Sequence, residues 1–334
     1  MNKNIFTLFQ YTKKRCHQPD VLINLLLLYS EFFSSPSTAG AFILNFTKIT
    51  NIMKAFLGIG LLGSNFVRAM LQKGENVQVW NRTAPKAKAL EAYGAKAFER
   101  AEEAVHGADI IHITLKDDAT VDEVLETASK GFKEGAIIID HTTTSAKGAI
   151  ERTGAWKSKG FIYVHAPVFM GPQNALEGTG FMLVSGEQSI VTKLEPELSK
   201  MTGKLINFGP EEGKAAGIKL TGNLFLLSIT AGLSDALLLA KAHGIKADEI
   251  LNLFNSWNPG ASVPARLKKI TEAKFKEPSW ELNMARKDAG LMMDAAKEAG
   301  ANLAIIPAIA AVMDQWVAKG HGHDDWSVIT KDSI

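Results

Sequence analysis

Apolar residues change their spacing twice along the 334-residue chain, and each change marks a different kind of structure. From residue 53 to about 212, short apolar runs recur at 55–57, 77–80, 108–115, 136–140, 161–164, 181–184 and 205–209. Each reads as a buried strand bounded by turn residues. Segments of helical period lie between them: Phe66, Val67, Met70 and Leu71 share one face, and 87–93, 97–105 and 121–128 are also helical. Strands alternating with helices at this rhythm predict a parallel sheet covered on both faces. From Lys214 to His243 the helical pattern is almost unbroken, and helices continue to about Trp316, interrupted at Asn258-Pro259-Gly260 and Glu277-Pro278. The predicted class is therefore α/β: a doubly wound parallel sheet over 53–212, then an all-α domain over 213–334.

Residues 1–52 have neither texture. They are acid-poor, with only Asp20 and Glu31, and Lys13-Lys14-Arg15 precede an apolar run at 21–29. That run falls short of the ~20 apolar residues that cross a bilayer. A secretory signal, an organellar presequence and sequence upstream of a misplaced start are the alternatives. The basic cluster lies far from the terminus, Glu31 closely follows the run, and Met53-Lys54 would open the first strand. These features favour the misplaced start, and an extension of that kind is expected to be poorly ordered.

Composition narrows the function classes. A formal charge of +2 argues against nucleic acid or a membrane surface as partner. The single cysteine, Cys16, rules out an internal disulfide framework and fits a reducing compartment. A cytoplasmic location is expected, or an organellar matrix if 1–52 is a presequence.

The first strand runs into Gly58, Gly60 and Gly63, spaced G-x-G-x-x-G around Leu61 and Leu62. Strand, glycine turn, helix and strand is the context in which this spacing binds a dinucleotide. The glycines allow a tight turn, close approach of a pyrophosphate and close helix–strand packing; the helix N-terminus holds the anion. At the end of the second strand, where an NAD site usually has an acid, stand Asn81, Arg82 and Thr83, with Lys86 one turn later. Cations there suit a 2′-phosphate, so the expected cofactor is NADP(H); a solvated basic loop is the ordinary alternative. Leu115-Lys116-Asp117-Asp118 and His141-Thr142-Thr143-Thr144 end two further strands, as helix caps or as cofactor contacts.

Taken together, these motifs resemble the β-hydroxyacid dehydrogenase family over residues 53–317. The resemblance implies a Rossmann-type domain and a helical domain that forms homodimers or homotetramers. It places Thr143, within Asp140-His141-Thr142-Thr143, beside the nicotinamide. The glycine-rich stretch 213–219 would carry the catalytic Lys219, with Asn223 as its companion, and Lys287-Asp288 would lie near cofactor and substrate. The substrate loop would be Val168-Phe169-Met170-Gly171, where backbone N–H donors remain but the family's serine and small residues are replaced. Of the family's tandem asparagines only Asn223 is kept, beside Gly222. Both departures make the usual 3-hydroxy acids doubtful substrates.

Lys219 could give a proton to the developing alkoxide, and Asn223, four residues on, shares its helical face. A snorkelling surface lysine and an exposed Lys287–Asp288 pair are the ordinary alternatives. His141 and His165 are expected to be structural. His321 and His323 belong to a solvated tail with no metal site. The leading expectation is an NADPH-dependent reductase of a small aldehyde or ketone, acting on a carbonyl or hydroxyacid compound. An imine reductase and a non-catalytic NADP-binding module are the alternatives.

Overall fold

The computed structural model describes residues 52–334. The extension that was expected to be a misplaced start or presequence, with Cys16, lies outside the described residues apart from Ile52. The chain runs β1 Met53–Leu57, α1 Leu61–Gln72, β2 Asn76–Trp80, α2 Ala84–Lys88, β3 Lys96–Ala97, α3 Ala101–Ala104, β4 Ile110–Ile113, α4 Asp118–Ala128, β5 Ile137–Asp140, α5 Ala146–Ser158 and β6 Ile162–His165. Next come β7 Val168–Phe169, α6 Pro172–Glu177, β8 Phe181–Val184, α7 Gln188–Leu198 and β9 Lys204–Asn207. The helical part is α8 Lys214–Ala242, α9 Ala247–Ser256, α10 Val263–Thr271, α11 Leu282–Glu298 and α12 Ile306–Trp316.

Six parallel strands form one sheet in the order β3-β2-β1-β4-β5-β6. Successive side chains in β1 serve opposite faces, as a strand's two-residue period requires. Phe56 joins a core with Phe66, Val67 and Met70 of α1, whereas Ala55 and Leu57 join Ile111, Ile113, Leu125 and Trp156 on the other face. Burial on both faces is why the strands read as unbroken apolar runs. The strand order reverses between β1 and β4, so the crevice at their carboxyl ends is the natural ligand site.

Three expectations need correction. Residues 97–105 do not form one helix: Lys96–Ala97 pairs with β2, Phe98 N–H donates to Val79 O, and helix begins only at Ala101. The later strands do not extend the main sheet. After Pro167 the chain enters a separate three-stranded sheet, β7-β8-β9, with β7 and β8 antiparallel. The C-terminal tail is not solvated either. Val328 is fully buried, and buried Asp325 accepts hydrogen bonds from Ser279 N–H and from Lys269 Nζ. His321 Nδ1 lies 2.7 Å from Asp324 Oδ2, although His323 is exposed.

The 29-residue α8 links the two parts of the chain. It packs on β8 and α5 and also on α11. Asp235, in its C-terminal half, is buried and accepts hydrogen bonds from Ala304, Ile305 and Ile306 N–H at 2.7, 2.8 and 3.2 Å. One carboxylate thus satisfies the first N–H of α12 and the two N–H groups that lead into it.

Candidate active site

The glycine turn at the end of β1 is shaped by close backbone approach. Gly58 has φ 98°, and a Cβ there would sit 2.2 Å from Thr114 O. A Cβ on Gly63 would sit 2.1 Å from Gly58 O, so α1 and the turn touch because neither residue has a side chain. Gly60 faces open space, with no atom within 4 Å of its Cβ position. Its neighbour Leu61 is exposed, Leu62 packs on the core, and the first turn of α1 contains no acid. A cradle with an uncovered glycine at a helix N-terminus fits a pyrophosphate.

Asn81 has a task its sequence position did not suggest. Its Oδ1 accepts from Ile59 N–H at 2.9 Å, and its Nδ2 donates to Thr83 O at 3.1 Å. The residue ties the end of β2 to the glycine turn. Arg82, Thr83 and Lys86 are exposed beside it.

The two polar clusters divide by role. Asp117 caps α4 through Thr120 N–H at 2.9 Å, and Asp118 accepts from Ser145 N–H and binds Arg152. Thr142 is buried and its Oγ1 accepts from Leu115 N–H at 2.9 Å. Leu115 thereby lies over Gly58, and Thr143 is left exposed at the end of β5.

Behind these residues runs a buried line of imidazoles. His141 Nδ1 is 2.8 Å from Ala166 O, which can only accept, so Nδ1 carries the proton. His141 Nε2 then accepts from His112 Nδ1 at 3.1 Å, and His112 Nε2 is a buried acceptor with no donor. The rings stack with Phe56. Burial holds His112 well below the usual histidine range and lowers His141 to about 4. Buried His165 is lowered too, with Nε2 2.8 Å from Thr142 O.

Near the start of α8, Lys219 is only 8% exposed, and its Nζ donates to Asn223 Oδ1 at 2.9 Å. This is not a snorkelling surface lysine. Burial lowers its pKa below the ordinary lysine value. The Phe169 ring covers the same ammonium, its centroid 4.0 Å from Nζ. Val168 is buried in the core and Met170 packs against it. The idea of a loop with open N–H donors needs revision, because Val168 and Phe169 pair with β8 and Gly171 N–H donates to Asn174 Oδ1 at 2.9 Å. Lys287 is more than half exposed and pairs with Asp288 at 2.8 Å. The structure thus gathers Lys219, Asn223 and Phe169 at one point, and Gly58, Gly63, Asn81 and Leu115 at another.

Residues 54–209 match the NAD binding domain of 6-phosphogluconate dehydrogenase, and 212–333 match the C-terminal domain of NADPH-dependent reductive aminase-like proteins. The two matches lie end to end over residues 54–333, and over that length the chain is similar to proteins of the β-hydroxyacid dehydrogenase family. It is 26% identical to 2-(hydroxymethyl)glutarate dehydrogenase of Eubacterium barkeri over 285 residues, covering 84% of this chain and 94% of that protein. Identity to 3-sulfolactaldehyde reductase of Escherichia coli is also 26%, over 280 residues, covering 82% and 93%. An imine reductase from Myxococcus stipitatus, solved with NADP+, shares the fold: TM-score 0.78, 22% identity, covering 84% of this chain and 99% of that one. These likenesses support an oxidoreductase with a nicotinamide nucleotide as cofactor.

Proposed function

We propose that the protein is an NADPH-dependent reductase of small aldehydes or ketones in which Lys219 donates the proton. The observation that carries this reading is the buried Lys219 ammonium held by Asn223 and lowered in pKa by burial. The bound nicotinamide would supply the hydride. Lys219 Nζ then gives a proton to the alkoxide oxygen, and its charge stabilises that oxygen as it forms. In the reverse direction neutral Lys219 accepts the hydroxyl proton, a state that its lowered pKa brings closer to neutrality. Asn223 orients the amine. Arg82 and Lys86 would grip the 2′-phosphate of NADPH, and exposed Thr143 would border the nicotinamide.

A homo-oligomer completes the proposal. Leu224 and Leu227 are 66% and 72% exposed, and Phe225, Leu226, Ile229, Leu233 and Leu237 extend that apolar surface along α8. A patch of this extent marks an interface. By length and composition α8 would also suit a bilayer. A second copy explains its surface better, because Lys219, Asn223 and Asp235 have protein partners within the same helix or domain.

The test pairs an NADPH titration with turnover across semialdehydes, ketoacids and cyclic imines. Lys219→Ala should bind NADPH normally and lose about 10²–10⁴-fold in carbonyl turnover. Turnover within a few-fold of wild type would refute the role of Lys219. The match of 212–333 to reductive aminase-like proteins favours one second reading, imine reduction. Hydride addition to an iminium yields a neutral amine without a proton donor. Imine turnover that survives Lys219→Ala would favour it.

A further inference from the structure

Gly222 stands where the family has an asparagine, and the packing gives the glycine a purpose. A Cβ at residue 222 would lie 2.3 Å from Cζ of Phe169 and 2.9 Å from Cε1. The phenyl ring therefore rests edge-on against the backbone of α8, and any side chain at 222 would drive it away. Gly222 lies three residues past Lys219 and one before Asn223, so all three fall on one side of the helix. On that side the ring stands over Nζ and Asn223 Oδ1 takes one of its protons. The far end of Phe169 is fixed as well, since the residue is paired to Phe181 in β8.

We propose that Phe169, seated on Gly222, is the specificity-determining residue of the site and selects neutral, apolar substrates over those with a carboxylate near the reacting carbon. This inference rests on Lys219 as the proton donor. A substrate whose carbonyl reaches Nζ must lie along the phenyl ring. That ring offers no hydrogen-bond donor, and its face carries negative charge density, which attracts the ammonium and repels a carboxylate. A carboxylate pressed against it would lose water and gain no partner. An alkyl or aryl group would gain contact area.

The experiment compares Phe169→Ser, Gly222→Ala and the double variant with wild type, all retaining Lys219. Readouts are kcat/KM for benzaldehyde and for succinic semialdehyde, NADPH binding, and thermal melting. Wild type should prefer benzaldehyde. Phe169→Ser should shift the ratio at least about tenfold toward succinic semialdehyde, with NADPH binding unchanged. Gly222→Ala should lower the melting temperature by roughly 5 °C in wild type and by about 1 °C or less when Phe169 is already Ser. A ratio that moves less than twofold overturns the selectivity. An equal loss in both backgrounds overturns the seat, and a Gly222→Ala chain that folds only with Phe169→Ser supports it. The parent reading is tested separately by Lys219→Ala. If that variant is inactive while Phe169→Ser leaves the ratio unmoved, only the present inference falls. A wild type that reduces neither compound overturns the parent reading and the selectivity together, while the melting comparison still decides the seat.

Discussion

Acidification should weaken the dinucleotide domain through its buried imidazoles, and the share of His141 follows from its surroundings. His141 is buried, stacked on His112, and commits its one ring proton to Ala166 O. A second proton would have to go on Nε2, which already accepts from His112. Lys54 lies on the far side of His112, paired with Glu75 and Glu197, and Asp140 ends β5 just before His141. Burial dominates and lowers His141 from 6.5 to about 4. The folded chain therefore resists a proton that the unfolded chain takes up below about pH 6.5. Stability is complete above that value and falls as pH drops toward 4. At pH 5 the linkage relation gives a loss of about 2 kcal/mol from His141 alone, or roughly 4–8 °C in melting temperature for a domain of this size. The assay is thermal melting by circular dichroism at pH 7.5 and pH 5, on wild type and His141→Asn. Asparagine does not titrate and can still donate to Ala166 O, so the variant should be less stable at pH 7.5 yet show a smaller pH difference. An equal pH difference in both chains would refute the reasoning.

Three further outcomes follow from other parts of the molecule. Arg82→Ala should cost NADPH binding about 1.5–3 kcal/mol, roughly 10–100-fold, and leave NADH nearly unchanged by titration; equal losses would show that Arg82 does not read the phosphate. Asp235→Ala leaves three part-buried N–H donors without their carboxylate and should cost about 1–3 kcal/mol, seen as a melting shift of roughly 2–12 °C. Leu227→Asp should shift the light-scattering mass toward a monomer at micromolar concentration; an unchanged mass would place the interface elsewhere.

What could be read from sequence was what repeats or what is spaced. The strands at 55–57, 77–80 and 137–140 announce themselves because both their faces are buried, and the glycine spacing carries its own geometry. Lys219 and Asn223 came from the resemblance of 213–223 to a family motif, and helical spacing explains why the two meet on one face. Pairings set by tertiary approach were not legible. Nothing in the letters joins Asn81 to Ile59 N–H, or sets Phe169 on Gly222, since those partners are distant in sequence and meet only after folding. For the same reason the tail near His321 and His323 departs from the solvated tail expected: a polar, glycine-containing stretch becomes ordered because Asp325 collects donors from two earlier segments.

One helix carries both the proposed proton donor and the apolar surface through which copies would associate. The electrostatic setting of Lys219 would then depend on assembly as well as on the fold of a single chain. The single chain already shields Lys219, and a partner packed along α8 would shield it further and hold the amine lower than one chain does. Dilution would therefore do more than reduce the active fraction. It would move the alkaline limb of the pH–rate profile upward, linking the acid–base chemistry of the site to protein concentration.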